Sequence, residues 1–323
     1  MSRKTSETNL LNRGHETKYD DTGNTMNDDI SGLLRDIHYL YNKIQFKWTI
    51  IDLRNITSYD DSHILNSTHI DIHCLAKQIK NILKHKSIIV IRDDSIKDDE
   101  LIQFYNIVKP ILRYKNDEIY FLKTDYNAFQ KEYHFMCSDY ENIHDSLPRE
   151  LKLQMYPNCI IPDKLYLGNV KQRSSRYPLK DLKITHVVDL AGTYNIKSMG
   201  IKYYQIFIFD FEGANIGQYF DCATKWIDDA LNDDNNRVFI HCQMGISRAP
   251  SITIAYLMKY KNMNLFQAYK HTHKCREIIW PNDGFFDQLS EYEIKIYGKT
   301  TKKNIEELGL RNQFNCCYSC NIL

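Results

Sequence analysis

An excess of charge of either sign is absent from this chain: 42 lysines and arginines stand against 41 aspartates and glutamates, a formal net charge of +1 over 323 residues. That balance excludes the broad basic surface of a general nucleic-acid binder. No apolar run approaches the length of a membrane-spanning helix, and no charged-then-apolar leader opens the sequence. The nine cysteines include no two Cys-x-x-Cys pairs at the spacing of a four-cysteine zinc site and no regular disulfide framework, so neither a metal nor another cofactor is expected. The expected compartment is the reducing cytoplasm, which suits a reactive free thiol. There is no internal repeat.

The residues present, 43% hydrophobic and 26% charged, are those of a globular protein long enough for two cores. Residues 1–30 are polar and without periodicity, and read as a disordered arm. From 31 to 146 short apolar runs alternate with amphipathic stretches. The spacing predicts strands at 48–53 (WTIIDL) and 87–91 (SIIVI), and helices at 72–83 and 100–111. A second unit, 155–300, predicts strands at 164–167, 186–190, 203–209 and 237–241, with helices at 216–231, 249–261, 265–275 and 284–296. Such alternation points to an α/β protein of two domains, its strands largely parallel and covered by helices. Residues 301–323 form a polar tail that ends in a cysteine cluster.

The chemical signal lies in 238–258, VFIHCQMGISRAPSITIAYLM. An apolar strand runs into His241-Cys242, and Arg248 follows at the start of a long apolar helix. A loop closing between a strand and a helix N-terminus turns several backbone N–H groups toward one point, an anion nest reinforced by the helix dipole. Gly245 allows close backbone approach, and Arg248 adds a two-pronged donor for phosphate oxygens. The positive nest favours the thiolate of Cys242, so one field both binds phosphate and activates sulfur. A core strand that happens to end in His-Cys is the plainer reading. The five-residue spacing to arginine with a central glycine is far more specific than that.

These residues match the His-Cys-x5-Arg signature of the protein tyrosine phosphatase superfamily. The region from Ile160 to about Tyr297 resembles a dual-specificity phosphatase domain: IIPDKLYLGNV (160–170) and THVVDLAG (185–192) look like its first strands, and WPNDGFFDQLSEYE (280–293) like its closing helix. The resemblance implies a nucleophile, Cys242, and a phosphate loop of Gln243, Met244, Gly245, Ile246, Ser247 and Arg248. It also implies a general acid about thirty residues before the cysteine. Asp210 ends the apolar run YYQIFIFD, thirty-two residues before Cys242, with Glu212 as competitor. Phosphoinositide and RNA phosphatases of the superfamily tend to carry basic residues inside the loop. Here the five intervening residues are neutral, which favours a phosphoprotein substrate. Glucan phosphatases can share the Arg-Ala-Pro at 248–250, so a glucan or lipid phosphatase stays an alternative, as does a phosphoprotein-binding pseudophosphatase. One departure concerns Ala249. Related loops carry Ser or Thr there, whose hydroxyl donates to the cysteine sulfur, leaving Ser247 or Ser251 to compensate.

The first unit resembles a rhodanese-like domain through Asp52, Arg54, Tyr59, His63 and Ile64. Where an active sulfurtransferase carries its cysteine, this chain reads RDDSIKDDE (92–100), with no cysteine and five acids, so the domain is expected to bind and not to catalyse. A rhodanese-like domain before a dual-specificity phosphatase is the arrangement of MAP kinase phosphatases, which implies a MAP kinase docking on the first domain. Lys77, Lys80, Lys84 and Lys86 stand at the corresponding place, with a solvated helix face as the equal alternative. The last four residues, from Cys320, resemble a prenylation box, and Cys316 and Cys317 are candidate palmitoylation sites. Together they imply peripheral membrane anchoring, against the alternative of a tail that merely contains cysteines.

Overall fold

The computed structural model describes residues 30–45, 48–75, 79, 87–112, 118–139, 153–192 and 200–307. Two five-stranded sheets organise them. In the first, strands β1 (Leu34–Arg35), β2 (Thr49–Asp52), β3 (Ser67–His69), β4 (Ile88–Ile91) and β5 (Ile119–Leu122) lie in the order β1-β5-β4-β2-β3, every pair parallel. The central strands TIID and IIVI are buried throughout, as parallel strands covered on both faces must be. Helices α1 (Ile37–Ile44), α2 (Ile56–Asp61), α3 (Asp98–Val108) and α4 (Tyr126–Tyr133) accompany this sheet.

The residues that suggested a rhodanese-like domain are structural. Asp52 and Arg54 form a buried ion pair of 2.8 Å, and Arg54 also donates to the Ser62 carbonyl and lies 3.6 Å from the Tyr126 ring centroid. Tyr59 donates to the Ser67 carbonyl and stacks on His63. Three of the five acids after β4 have a local explanation too. Asp98, Asp99 and Glu100 occupy the first turn of α3, complementing its dipole, and the Glu100 carboxylate accepts from the Lys97 amide.

The second sheet contains β6 (Asn158–Ile161), β7 (Leu165–Asn169), β8 (His186–Asp189), β9 (Lys202–Gln205) and β10 (Val238–Cys242), in the order β6-β7-β10-β8-β9. Only β6 runs antiparallel. Around it lie α5 (Val170–Ser174), α6 (Arg176–Asp181), α7 (Phe220–Leu231), α8 (Arg248–Tyr260), α9 (Leu265–Cys275), α10 (Asp283–Tyr297) and α11 (Lys302–Glu307). The all-apolar VFI of β10 sits between β7 and β8, and α8, with ten buried residues, packs among α7, α9 and α10.

Three expectations need correction. The predicted strand 203–209 leaves the sheet after Gln205, because β9 is an edge strand and the chain lifts away to carry Asp210 toward the loop. The predicted helix 72–83 begins as a 3-10 turn, Ile72–Cys74. The stretch read as tail from 301 starts with α11, whose Ile305 is buried in the second core. Lys77, Lys80, Lys84, Lys86, Cys316, Cys317, Cys320 and the arm 1–29 lie outside the described residues. Among the described residues no helix is long and apolar enough to cross a membrane.

Candidate active site

Cys242 ends β10 with 1% of its surface exposed. The loop that follows is shaped from outside. The Gln243 carbonyl accepts from the Val170 amide (3.4 Å) and the Ile246 carbonyl from the Trp280 amide (2.6 Å). Between them, Arg276 Nη2 donates to the Met244 carbonyl (3.1 Å) and its Nε to the Gly245 carbonyl (2.9 Å). In a planar trans peptide the N–H opposes the C=O. Four carbonyls held outward therefore turn the amides of residues 244–247 inward, and the Gly245 amide donates to Cys242 Sγ at 3.2 Å. Gly245 is needed twice over. Its φ is +67°, and a Cβ there would stand 2.4 Å from the Gly168 carbonyl oxygen.

Arg248 opens α8 and is anchored by one end. Its Nη1 donates to the carbonyls of Leu190 (2.8 Å) and Ile208 (3.2 Å). The Nε is buried without a hydrogen-bond partner, the nearest carboxylate oxygen being Asp210 Oδ2 at 3.5 Å. No acid occupies the first turn of this helix. The Arg248 guanidinium, the inward amides and a helix N-terminus are thus gathered at one loop, with the Asp210 carboxylate beside the arginine.

Asp210 hangs over the loop. Its Oδ1 accepts from Ser247 Oγ (2.6 Å) and Asn282 Nδ2 (2.9 Å), and the Asn282 amide donates to Ser247 Oγ (3.1 Å). Asn282 also caps α10 by accepting from the Phe285 amide, so one residue starts a helix and fixes the acid. Glu212 is exposed, and its backbone packs against Gly284, where a Cβ would meet the Glu212 carbonyl oxygen at 1.9 Å.

His241 is fully buried beneath the loop, and loss of hydration pushes its pKa down to about 4, more than nearby Asp189 offsets. The ring is neutral at neutral pH, so its 3.6 Å approach to Asp189 is no ion pair. Ala249 is completely buried. Ser247 donates to Asp210 and Ser251 to the Ser247 carbonyl, so neither hydroxyl takes over a bond to Cys242 Sγ. At the rim, Phe207, Phe209 and Phe211 are 52%, 82% and 56% exposed and Met244 40%, an apolar margin around a charged centre.

The sequence comparisons agree with this geometry. Residues 165–295 match the family described as dual specificity phosphatase, catalytic domain, and 36–132 match the rhodanese-like domain. Mouse dual specificity protein phosphatase 18 is 32% identical over 147 residues, 45% of this chain and 78% of that protein. The chain belongs to the dual specificity phosphatase family. As a member of it, the chain carries a rhodanese-like domain ahead of its dual specificity phosphatase domain. A Dictyostelium discoideum protein described as a "probable rhodanese domain-containing dual specificity protein phosphatase" is 36% identical over 184 residues, 57% of this chain. The chain spans 38% of that relative's length. The solved structure of human DUSP28 aligns with a TM-score of 0.41 and 20% identity, covering 43% of this chain and 94% of that one.

Sequence reasoning named the loop, Arg248 and Asp210, and the fold brings them together. It missed Arg276 and Asn282. Asn282 was legible as a cap, an asparagine immediately before an amphipathic run. Arg276 carries no local signal, since a basic residue at a helix end is ordinary.

Proposed function

We propose that this phosphatase hydrolyses phosphotyrosine and phosphoserine or phosphothreonine in proteins through a cysteinyl-phosphate intermediate. The observation that carries the reading is the loop itself: its carbonyls are held outward by Val170, Arg276 and Trp280, the Gly245 amide donates to Cys242 Sγ, and Arg248 opens the following helix with its Nε 3.5 Å from Asp210. The Cys242 thiolate attacks phosphorus while Arg248 and the loop amides hold the non-bridging oxygens. Asp210, protonated, gives its proton to the departing side-chain oxygen as the P–O bond breaks. Water then attacks the phosphocysteine, losing a proton to the Asp210 carboxylate. The S–P bond breaks to return the thiolate and free phosphate.

The neutral Gln243, Met244, Ile246 and Ser247 and the apolar rim suit a singly phosphorylated protein side chain better than a polyanionic inositol headgroup. The partner is accordingly a phosphoprotein, and the pairing with a rhodanese-like domain supports a MAP kinase held on the N-terminal domain.

The test is hydrolysis of p-nitrophenyl phosphate by the full chain, with mass spectrometry of acid-quenched enzyme. Phosphate is expected on Cys242, and Cys242→Ser abolishes turnover. An active Cys242→Ser variant, or phosphate on another residue, overturns the mechanism. A panel of phosphopeptides, glucan and phosphoinositides tests the substrate class.

A further inference from the structure

Helix α1 belongs to the N-terminal domain, yet three consecutive side chains of it end on the phosphatase domain. Tyr41 Oη donates to the Pro157 carbonyl (2.7 Å), and Lys43 pairs with Glu277, the neighbour of Arg276. Between them, Asn42 binds β6 as another strand would. Its Nδ2 donates to the Cys159 carbonyl and its Oδ1 accepts from the Cys159 amide, both at 2.7 Å. Because β6 is the outer strand of its sheet, this amide closes an otherwise open edge.

The contact does not stop at the edge. Asn158, beside Cys159, directs its Nδ2 to the Asn42 carbonyl (3.4 Å) and Oδ1 (3.5 Å). Its own Oδ1 accepts from Arg276 Nη1 at 2.7 Å. Arg276 in turn grips the Met244 and Gly245 carbonyls of the phosphate loop. Asn42, Asn158 and Arg276 are 3%, 0% and 3% exposed. Away from water, losing one partner of such a chain leaves the other's polar group to be satisfied by rearrangement.

We infer that Asn42 and Asn158 are positioning residues for the phosphate loop, through which the N-terminal domain sets the orientation of Arg276 and hence the outward carbonyls that form the anion nest. The inference rests on the phosphate-loop reading above. The acceptor on Asn158 fixes one nitrogen of Arg276, so that the remaining two meet consecutive carbonyls. Without that acceptor, the buried guanidinium turns toward other oxygens and the peptide planes at 244–246 relax. The consequence is weaker oxyanion binding, in ground state and transition state alike.

The test uses the full chain, with kinetics on p-nitrophenyl phosphate, competitive inhibition by inorganic phosphate, and thermal unfolding. Asn158→Leu is expected to lower kcat/KM about tenfold or more and to raise the inhibition constant of phosphate comparably. Asn158→Asp keeps an oxygen for Arg276 and should recover most of both, despite burying a carboxyl group. Asn42→Ala should cost kcat/KM a few-fold, and Asn42→Ala with Asn158→Leu should be no worse than Asn158→Leu alone, as for links of one chain. Tyr41→Phe breaks a bond of the same interface off this path and should leave both constants within about twofold. The inference is overturned if Asn158→Leu and Asn42→Ala lower the unfolding temperature with both constants unchanged, or if Asn158→Asp recovers nothing. Should Asn158→Leu not fold, Asn42→Ala and Asn158→Asp carry the same comparison. A wild-type chain that binds inorganic phosphate and is weakened by these variants, yet hydrolyses nothing, would refute the hydrolytic reading and leave this one standing.

Discussion

The two domains present the same junction twice: a central parallel strand, buried throughout, ends and its chain turns into a helix. After β10 the turn gathers inward amides at an acid-free helix start, and after β4 the chain's own acids occupy the helix start. Behind β4, three acids in the first turn of α3 meet the helix's positive end, and Arg92 is committed to Asp98 and the Leu122 carbonyl. Behind β10, the first turn of α8 has no acid, Gly245 opens the left-handed turn, and Arg248 is anchored by Nη1 to two carbonyls while its Nε faces Asp210 without a hydrogen bond. Topology supplies the location in both. Which side chains satisfy the helix end decides whether a ligand is needed there.

The contrast can be broken most severely at Asp210, which has no counterpart beyond β4. Asp210→Ala should slow hydrolysis of a phosphotyrosine peptide about 10²–10⁴-fold, and that of an aryl phosphate with a good leaving group much less, because only the poor leaving oxygen needs a proton. Equal losses on both would reject Asp210 as the acid. Glu212→Gln, with its side chain in solvent, should be nearly silent.

Next in size is Ala249. With Ser247 and Ser251 engaged elsewhere, no hydroxyl stabilises the departing thiolate, and a hydrogen bond to a charged group is worth about 1.5–3 kcal/mol. Breakdown of phosphocysteine should therefore limit turnover. Rapid mixing should show a burst of leaving group and then a slow steady rate, which Ala249→Ser raises about tenfold to a hundredfold. Absence of a burst together with an unaccelerated serine variant would refute this account.

A smaller effect belongs to the seam between the domains. The carboxyl of Glu132, on α4, is pushed up to about 7, first by lost hydration and then by Asp163 of the phosphatase domain. Its pKa in the folded chain lies above its ordinary 4.5, so the folded state holds the proton more tightly. That contribution to stability is complete below pH 4.5 and is lost as pH rises through 7. Glu132→Gln should accordingly raise the unfolding temperature relative to wild type at pH 8 and lose the advantage at pH 4. A constant difference across that range would exclude Glu132 as the titrating group. Smallest is Asp99→Asn beyond β4, expected to cost about 0.5 kcal/mol of stability or less and nothing in turnover. A catalytic loss there would mean the filled junction is not inert.

What the sequence made legible follows from how local each signal is. The predicted helix 265–275 coincides with α9, and the Cys242-to-Arg248 turn is where the apolar run and the glycine placed it. The segment after Tyr203 misleads because alternating Phe and Ile read as a buried strand. Ile206 is indeed buried, but β9 ends at Gln205, and Phe207, Phe209 and Phe211 beyond it are exposed. Helix α1 and the chain from Asn42 through Asn158 to Arg276 that braces the loop were not legible at all. Asn42 meets Cys159 across 117 positions, and Arg276 meets Asn158 across 118. Pairings of that separation leave no periodicity in either segment.

The apolar interior between the domains bears on how this protein comes apart. Leu40, Tyr41 and Ile44 of α1 and Phe129 and Tyr133 of α4 belong to one buried cluster with Tyr156, Cys159, Tyr166 and Phe239, the last of these on the strand that ends in Cys242. Neither half can melt without stripping the other of part of its core. Heating should therefore give one cooperative transition reported alike by probes in both domains, and a phosphatase half expressed alone should expose the far side of that cluster and aggregate.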